Sequence, residues 1–318
     1  MNAWPLEARP RRGLVIAGTA MTALASTAAW VAQRARSTES RNPPAGNFVN
    51  VDNTRVHYIE RGRGTPLVLL HGNTLRLEDF IASGLVERLA RNYRVLAFDR
   101  PGFGYTERPR NRLWTAAAQA ALLRQAFLQL GVERPIVLGH SWGTLVALEL
   151  ALMASVDVRK LVLVSGYYFA TPRLDAVLAA PVAVPILGDV MRYTVTALSA
   201  RLLLGRTVKA MFAPQPVPLN FMDTLNREML LRPVQIRANS EDAAYMMPSA
   251  SALQRRYGAM RLPTVILAGA ADKAVDPEQH ARRLHVELEN SQLQVLPGVG
   301  HMLHHAAPTE CLDAVAAG

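Results

Sequence analysis

A serine between two glycines, in the motif GHSWG at residues 139–143, is the feature of this sequence best suited to nucleophilic chemistry. The motif follows an apolar run typical of a buried strand, and a stretch of helical periodicity begins within it. A serine on such a strand-to-helix turn has its hydroxyl pushed into solvent at the edge of the sheet. Glycines two residues to either side are needed because any side chain there would collide with the turn. The pattern predicts Ser141 as a nucleophile.

A serine nucleophile needs a base and a third group that orients the base. His301 follows the last predicted strand, in a loop from which a histidine can reach over the sheet edge. Asp272 lies just past the end of the strand predicted at residues 264–268. Ser141, Asp272 and His301 therefore occur in the chain order that this architecture requires. We predict that these three side chains form a catalytic triad.

Neighbouring histidines and aspartates offer alternative assignments. His304 and His305 lie one turn after the predicted base, and Asp276 lies four residues after the predicted carboxylate. Any of these three could instead be a surface residue without a catalytic role. Asp99 also follows a predicted strand, but residues 100–104 have the composition of a turn, so we interpret this aspartate as structural.

Short β-rich runs alternate with amphipathic stretches after residue 48, and these elements must position the chemistry. The predicted strands are residues 56–60, 66–70, 94–98, 135–139, 160–165, 264–268 and 292–296. The stretches with helical periodicity are residues 78–90, 114–130, 142–154 and 277–288. Strand, helix and strand in series indicate a mostly parallel sheet with helices on both faces. The strand C-termini then lie at one edge, where open α/β sheets bind ligands.

The alternation breaks between about residues 167 and 262, where the chain turns helical and is punctuated by prolines. This stretch holds seven of the eleven methionines, Met191, Met211, Met222, Met229, Met246, Met247 and Met260. Flexible thioethers fill the core of an irregular helical subdomain, and they also suit an apolar cap over a lipophilic pocket. We predict that residues 49–166 and 263–318 form one α/β core domain, and that residues 167–262 are inserted into it as a helical cap.

Five motifs stand in order along the chain: LLHGN at 69–73, DRPGFGYT at 99–106, GHSWG at 139–143, GAAD at 269–272 and GHMLHH at 300–305. From about residue 48 to the C-terminus, the chain resembles the α/β-hydrolase superfamily on these motifs. The resemblance implies an α/β fold with an eight-stranded, mostly parallel sheet and an inserted cap. It also implies that the backbone N–H groups of Asn73 and Trp142 form an oxyanion hole. We interpret His71 as a buried imidazole that stabilises this loop.

Two branches of the superfamily share part of the pattern. Asn73 and Trp142 resemble the halide-binding pair of haloalkane dehalogenases, but the nucleophile of those enzymes is an aspartate. Ser141 cannot form their alkyl-carboxylate ester, which disfavours dehalogenase and carboxylate-type epoxide hydrolase chemistry. The Ser-Trp-Gly sequence also resembles proline iminopeptidases, which read a free amino group with acidic cap residues. The candidates for that role here are Glu228, Glu241 and Asp242, which helix-capping or surface positions would explain equally.

An uncharged segment at residues 13–33 predicts a membrane-targeting helix in the N-terminal region, residues 1–48. Arginines flank the segment on both sides, Arg9, Arg11 and Arg12 before it and Arg34, Arg36 and Arg41 after it. A helix of this length reaches about 31 Å, enough to cross a bilayer core. An export signal cleaved after Ala23-Leu24-Ala25 is the alternative. Residues 37–47 are expected to form a polar linker.

Composition sets outer limits on function. The chain has 318 residues, a formal net charge of +10, and 50% hydrophobic residues, which excludes disorder for most of its length. Its one cysteine, Cys311, excludes an internal disulfide and a Cys-cluster metal site. The basic residues are mostly arginines scattered singly, which disfavours nucleic-acid binding. Residues 1–48 hold six arginines and two glutamates, so they carry +4 of the net charge.

Together these observations predict a serine hydrolase that cleaves a carboxylic ester of a small to medium apolar substrate through an acyl-enzyme intermediate. The alternatives are an iminopeptidase-like amide or peptide hydrolase and a non-catalytic binding protein with the same fold. No metal or organic cofactor is required, and the expected partners are a small-molecule substrate and a membrane. We expect a single-pass membrane anchor, or export to the periplasm after signal cleavage. No sequence signal indicates an oligomeric state.

Overall fold

The computed structural model describes residues 10–317 of the chain, without the side chains of residues 10–14 and 175. Its strands in chain order are Asn47–Val51 (β1), Thr54–Arg61 (β2), Pro66–Leu70 (β3), Arg94–Phe98 (β4), Ile136–His140 (β5), Lys160–Val164 (β6), Thr264–Gly269 (β7) and Ser291–Leu296 (β8). They form one sheet in the order β1-β2-β4-β3-β5-β6-β7-β8. The β1–β2 and β2–β4 pairs are antiparallel, and β4, β3, β5, β6, β7 and β8 pair in parallel. The predicted eight-stranded, mostly parallel α/β sheet is confirmed.

The helices in chain order are Pro10–Arg41 (α1), Glu78–Ala82 (α2), Leu85–Leu89 (α3), Ala116–Leu130 (α4), Gly143–Ala151 (α5), Leu174–Ala183 (α6), Leu187–Tyr193 (α7), Val195–Phe212 (α8), Phe221–Leu225 (α9), Arg227–Leu230 (α10), Pro233–Gln254 (α11), Arg283–Glu287 (α12), Leu303–Ala306 (α13) and Pro308–Ala316 (α14). One predicted helix, residues 78–90, is broken into α2 and α3, because Gly84 between them adopts a positive φ of 74°. A π-helical turn at Glu278–Arg282 precedes α12.

Apolar side chains cover both faces of the sheet, as the uninterrupted hydrophobic runs predict. In β3, Leu67 and Leu69 pack into one apolar cluster with α2, α3 and α14, whereas Val68 and Leu70 pack into another with α4 and α5. A strand buried on both faces has no polar position, which explains the PLVLL sequence. The central strands are therefore rigid supports for the loops that follow them.

Strand β1 was not predicted from the sequence. It pairs with β2 through a two-residue turn, in which Asp52 and Asn53 have positive φ angles of 47° and 59°. Such turns match the natural twist of a hairpin and favour aspartate and asparagine. The signal was present in the sequence, but the short strand NFVNV buries only part of one face and lacks a long apolar run.

The connection between β6 and β7 is helical throughout its regular elements, α6 to α11. Its own apolar cluster includes Leu204, Phe212 and Leu225, and it meets the rest of the protein through Leu75 and Met302. The connection therefore sits over the loops at the C-terminal edge of the sheet, one of which carries His301.

Helix α1 differs from the expected anchor and free linker. It continues to Arg41, and its second half packs on α7, α10 and α11. Val31 and Thr38 are buried, and Glu39 forms an ion pair of 2.7 Å with Arg232 of the cap. Residues 37–41 thus differ from the predicted free linker, because they continue the helix and Glu39 pairs with Arg232. From Val15 onward α1 is long and apolar enough to cross a membrane.

Candidate active site

Ser141 lies on a sharp turn between β5 and α5, where its φ angle is +51°. A Cβ atom at Gly143 would collide with the carbonyl oxygen of Leu70, and one at Gly139 would lie 2.8 Å from the backbone of Gly143. The two glycines are therefore required by close backbone approach, as the motif predicted. A positive φ at a serine is an uncommon conformation, and here it holds the hydroxyl at the sheet edge.

The structure brings Ser141, His301 and Asp272 into one hydrogen-bonded chain. The Oγ atom of Ser141 lies 3.0 Å from Nε2 of His301, and Nδ1 of His301 lies 2.8 Å from Oδ2 of Asp272. The imidazole and the carboxylate are buried, whereas Ser141 is partly exposed to a cavity. The three side chains predicted as nucleophile, base and orienting carboxylate thus have the separations that triad chemistry needs.

The carboxylate of Asp272 is fixed from two sides. Its Oδ1 accepts hydrogen bonds from the backbone N–H groups of Ala274 and Val275 at 2.8 and 2.9 Å, which leaves Oδ2 for His301. The turn that follows β7 supplies both donors. The orientation of the imidazole therefore depends on the backbone of this turn as well as on the carboxylate.

His140, the second residue of the GHSWG motif, is a positioning residue that the sequence analysis did not identify. Its Nε2–H donates to the backbone carbonyl oxygen of His301 at 3.2 Å. Burial lowers the pKa of His140 well below its ordinary value, so the ring is neutral and has one N–H to donate. The ring links the nucleophile turn to the loop that carries the base.

Asn73 follows β3 in a loop that runs directly beside Ser141. A Cβ at Gly72 would lie only 3.1 Å from Cβ of Ser141, so glycine permits this approach. The side chain of Asn73 lines the cavity and donates from Nδ2 to the carbonyl oxygen of Asn239 on α11 at 3.1 Å. Its backbone is thereby held next to the predicted nucleophile.

His71 is the loop-stabilising imidazole that the sequence predicted. It is fully buried, its Nε2 accepts the backbone N–H of Arg100 at 3.0 Å, and its Nδ1–H donates to the carbonyl oxygen of Gly72 at 2.7 Å. Burial lowers the pKa of His71 to about 3, with a further contribution from the charge of Arg100. The ring is neutral and has no free donor to offer a substrate.

A buried cluster of arginines and one carboxylate supports the same loop from behind. Arg100 donates to the carbonyl oxygens of His71 and Gly72, and its Nη1 lies 2.5 Å from Oδ2 of Asp242. Arg108 pairs with the other carboxylate oxygen of Asp242 at 3.0 Å. The side chains of the three charged residues are completely buried. This cluster ties the cap helix α11 to the loop at residues 71–73.

Asp242 is therefore a structural counterion, and the two glutamates proposed to read an amino group are similarly engaged. Glu228 forms a two-pronged pair with Arg201 at 2.6 and 2.7 Å. That hydrogen-bonded partner lowers the pKa of Glu228 to about 2. Glu241 pairs with Arg108 at 2.6 Å. None of the three acids lines the cavity at Ser141, so the iminopeptidase alternative loses its recognition group.

The alternative triad members have other partners. His304 and His305 each place Nε2 at 2.8 Å from one oxygen of Asp79, pointing away from Ser141. Asp276 accepts the backbone N–H of Glu278 at the start of a helical turn. Asp99 is buried and, as interpreted, structural: it accepts from Nδ1–H of His57 at 2.7 Å and from backbone N–H groups at 2.9 and 3.0 Å.

Asp79, His304 and His305 also form a group whose potential metal-ligand atoms lie within 4.8 Å of one another. Both carboxylate oxygens already accept a histidine N–H. Burial alone would raise the pKa of Asp79, but the two histidines lower it well below its ordinary value. Both oxygens of Asp79 are thus occupied, and the cluster acts as a hydrogen-bonded support for the segment that follows His301.

A cavity of about 380 Å³ opens above Ser141 and His301. Its apolar lining comes mostly from the helical connection between β6 and β7, with Ala210, Met211, Ala243 and Met246, and from Val275. Two basic residues, Arg173 and Lys273, also line it. The methionines of this segment therefore have both predicted roles. Met229 is buried in the core of the helical segment, whereas Met211 and Met246 line the cavity. The volume lies at the small end of typical ligand pockets.

The indole of Trp142 is not available for halide binding. The side chain is fully buried, and its Nε1–H donates to the carbonyl oxygen of Asp242 at 2.9 Å. A haloalkane dehalogenase would need this donor, together with a carboxylate nucleophile, at the reacting carbon. The observed geometry provides neither, which agrees with the interpretation that Ser141 disfavours dehalogenase chemistry.

Known proteins match nearly all of the chain. A family model described as the alpha/beta hydrolase fold matches residues 65–308. Haloalkane dehalogenase 2 of Mycobacterium tuberculosis is 26% identical over 279 residues, which are 82% of this chain and 90% of that protein. An esterase from Exiguobacterium antarcticum superposes with a TM-score of 0.70 at 20% identity, over 85% of this chain and 98% of the other. A bacterial membrane phospholipase A superposes with a TM-score of 0.64 at 21% identity, over 98% of this chain and 99% of the other.

Proposed function

Because this chain belongs to the α/β-hydrolase fold family, we propose that it is a serine hydrolase that cleaves carboxylic esters through an acyl-enzyme intermediate. The observation that carries the proposal is the continuous hydrogen-bonded chain from Ser141 through His301 to Asp272, which opens into an apolar cavity. Two of the similar structures are named as an esterase and a phospholipase A.

In this mechanism Ser141 Oγ attacks the ester carbonyl carbon while Nε2 of His301 accepts the hydroxyl proton. The carbonyl oxygen becomes negative and accepts hydrogen bonds from the backbone N–H groups of Asn73 and Trp142. His301 then gives its proton to the departing alcohol, and the acyl group remains on the serine. Water, activated by the same imidazole, releases the acid and restores Ser141. Asp272 keeps the imidazole in the reactive tautomer throughout.

Ester hydrolysis is favoured over amide hydrolysis at this site. The cavity is lined mostly by apolar side chains, and its charged lining residues, Arg173 and Lys273, are both basic. Among the described residues that line the cavity, none is an aspartate or glutamate that could bind a free α-amino group. Residues 167–262 act as the cap that supplies this apolar lining, over a core of residues 49–166 and 263–318. The N-terminal helix anchors the chain in a membrane.

We expect short- and medium-chain acyl esters to be hydrolysed, and aminoacyl anilides to be poor substrates. Initial rates measured on a series of p-nitrophenyl esters and on proline and leucine p-nitroanilides test this directly. Higher kcat/KM on the anilides would support the amide hydrolase and contradict the proposal. Failure of the chain to hydrolyse either series would support a binding protein with this fold.

Replacing Asp272 by asparagine should lower kcat by about 10⁴-fold. Oδ1 must still accept the two backbone N–H groups of Ala274 and Val275, so the new amide nitrogen would face Nδ1 of His301. Because that nitrogen donates, the imidazole proton must move to Nε2, where it faces Ser141 and blocks proton transfer. Asp276→Asn, at an exposed carboxylate four residues away, is the control and should keep wild-type kcat. Equal kcat values for the two variants would refute the role of Asp272.

A further inference from the structure

Exposed large apolar side chains are concentrated on two parts of the described chain. Twenty such side chains are exposed, and eleven of them lie within residues 174–203, on α6, α7, α8 and their connections. Five more lie on α1. Soluble surfaces scatter such residues singly, whereas a contiguous apolar surface marks an interaction site. We call the outer surface of α6, α7 and the first half of α8 the cap face, defined by Leu178, Ile186, Val190, Leu198 and Leu202.

The cap face carries almost no charge. Between residues 176 and 200 the sequence holds only Asp189 and Arg192, which pair with each other at 3.0 Å. Taken together, helices α6 and α7 are long and apolar enough for one membrane span, although the chain bends by 105° at the break between them. On α8, Val195, Leu198 and Leu202 recur at helical spacing along one exposed stripe. An apolar surface of this kind is unfavourable in water.

The exposed N-terminal part of helix α1 extends away from the protein beside the cap face. Val31 packs between Val182 of α6 and Ala197 of α8, on the inner side of the same helices. One residue earlier, the ring of Trp30 lies 5.2 Å from the guanidinium of Arg201. Every residue from 15 to 26 is exposed, so this part of α1 extends away from the cap. Leu202 follows Arg201 directly, and Leu198 lies one turn before it.

This arrangement fixes the depth of the cap face relative to a bilayer that α1 crosses. Tryptophan and arginine concentrate at the boundary between hydrocarbon and headgroups. Trp30, Arg34 and Arg201 form such a group at the point where α1 becomes exposed. Residues 15–30 then account for about 24 Å of helix beyond that boundary. The cap face, which begins within one turn of Arg201, lies at the level of the membrane surface.

The charges next to the cap face have the sign that a bacterial-type anionic membrane surface attracts. Among the basic residues between 176 and 222, Arg192 pairs with Asp189 and Arg201 pairs with Glu228, so the positive charge beside the cap face comes from Arg206 and Lys209. Arg206 and Lys209 are exposed on the second half of α8. Basic side chains beside an apolar surface can place their stems along it and their heads among lipid phosphates.

The cap face is continuous with the mouth of the cavity at Ser141. The second half of α8 contributes Thr207, Ala210 and Met211 to the cavity wall. At the other side, Arg173 lines the cavity and Leu174, the first residue of α6, is exposed beside it. Helix α8 therefore carries part of the exposed apolar surface and part of the cavity wall.

We propose that the cap face rests in the surface of a phospholipid bilayer and that the cavity opens onto it, so that the natural substrates are acyl esters dissolved in the membrane. This proposal rests on the proposed ester hydrolase function and names the substrate class of the same site. The acyl chain passes from the bilayer along the second half of α8, past Ala210 and Met211, to Ser141. Lys273, which lines the cavity and is exposed, meets the polar part of the lipid.

The location of the cap face is tested independently of activity. Cys311 is completely buried, so a single introduced cysteine is the reactive thiol in the full-length chain. Leu178→Cys and Leu202→Cys, at positions 72% and 81% exposed, are labelled with nitrobenzoxadiazole. Leu128→Cys on α4 and Val286→Cys on α12, at positions 64% and 84% exposed, are matched controls. The proteins are reconstituted into vesicles of phosphatidylcholine and phosphatidylglycerol, with and without doxyl-labelled lipid.

We expect the two cap labels to emit at shorter wavelength and to be quenched by doxyl lipid, whereas the controls stay aqueous and unquenched. Cap labels that behave like the controls would overturn the proposal. Shifted emission without quenching by lipid would also overturn it, because a second copy of the chain would then cover the surface.

The lipid route is tested with a double variant, Leu178→Glu with Leu202→Glu, against Leu128→Glu with Val286→Glu. Two carboxylates on the cap face oppose contact with lipid, so hydrolysis of a long-chain acyl ester held in vesicles should fall at least about tenfold. Hydrolysis of a water-soluble short-chain ester should be unchanged. Loss on both substrates, or on neither, would overturn the lipid route. An unsubstituted chain that cannot cleave the soluble ester would instead refute the hydrolase function and leave the quenching result standing.

Discussion

Replacement of Ser141 by alanine is expected to lower kcat for ester hydrolysis by about 10⁴- to 10⁶-fold. Alanine removes the Oγ atom that lies 3.0 Å from Nε2 of His301. No acyl-enzyme can then form, and the remaining rate comes from binding and from the oxyanion hole alone. Steady-state rates on a p-nitrophenyl ester, with active-site titration to exclude contaminating enzyme, measure the effect.

Ser165→Ala is the matched control for this substitution. Ser165 follows the neighbouring strand β6, is buried, and has a positive φ of 48°. It shares the strand-end position and the strained backbone of Ser141 but does not line the cavity. The kcat of the Ser165→Ala variant should stay close to that of the wild type. A Ser141→Ala variant as active as Ser165→Ala would show that a different group performs the reaction.

The second large effect is expected on stability, from Asp242→Asn. This carboxylate is completely buried and neutralises Arg100 and Arg108, whose side chains are also completely buried. An asparagine places an N–H donor against the Arg100 guanidinium and leaves that charge uncompensated. Breaking a buried pair in this way costs about 3–5 kcal/mol. The free energy of unfolding, measured by urea denaturation of the full chain in one detergent, should fall by this amount.

Glu278→Gln provides the comparison, because its ion pair with Arg282 is exposed at both ends. Surface pairs of this kind contribute about 0–1 kcal/mol. We also expect Asp242→Asn to reduce kcat, since Arg100 holds the carbonyl oxygens of the loop at residues 71–73. If the two variants were equally stable, the buried cluster would not be the element that joins cap and core.

The parts of the site that could be predicted from the sequence are those encoded locally. The GHSWG motif predicts a tight turn because the glycines are needed within four residues of one another, and the structure has that turn. The positions of Asp272 and His301 follow from strand ends, since parallel strands bring their C-termini to one edge. Strands buried on both faces, such as β3, were predicted from their uninterrupted apolar runs.

Interactions between distant segments could not be predicted in this way. Arg100 and Asp242 are 142 residues apart, and nothing near either residue indicates the other. The sequence alone therefore indicates Asp242 as a possible binding group and Arg100 as part of a turn. In the same way, residues 37–41 have the polar composition of a linker, yet Glu39 pairs with Arg232 of the cap. A polar segment is helical here because its partners lie almost two hundred residues further along the chain.

The measurement that tests the central claim most directly is covalent labelling of the full-length chain with a fluorophosphonate probe, followed by peptide mapping. A serine activated by a neighbouring imidazole reacts with such a probe, whereas ordinary serines do not. We predict a single adduct on Ser141 in the wild type and in Ser165→Ala, and no adduct in Ser141→Ala. An adduct on a different serine, or equal labelling of the wild type and Ser141→Ala, would contradict the assignment of Ser141 as the nucleophile.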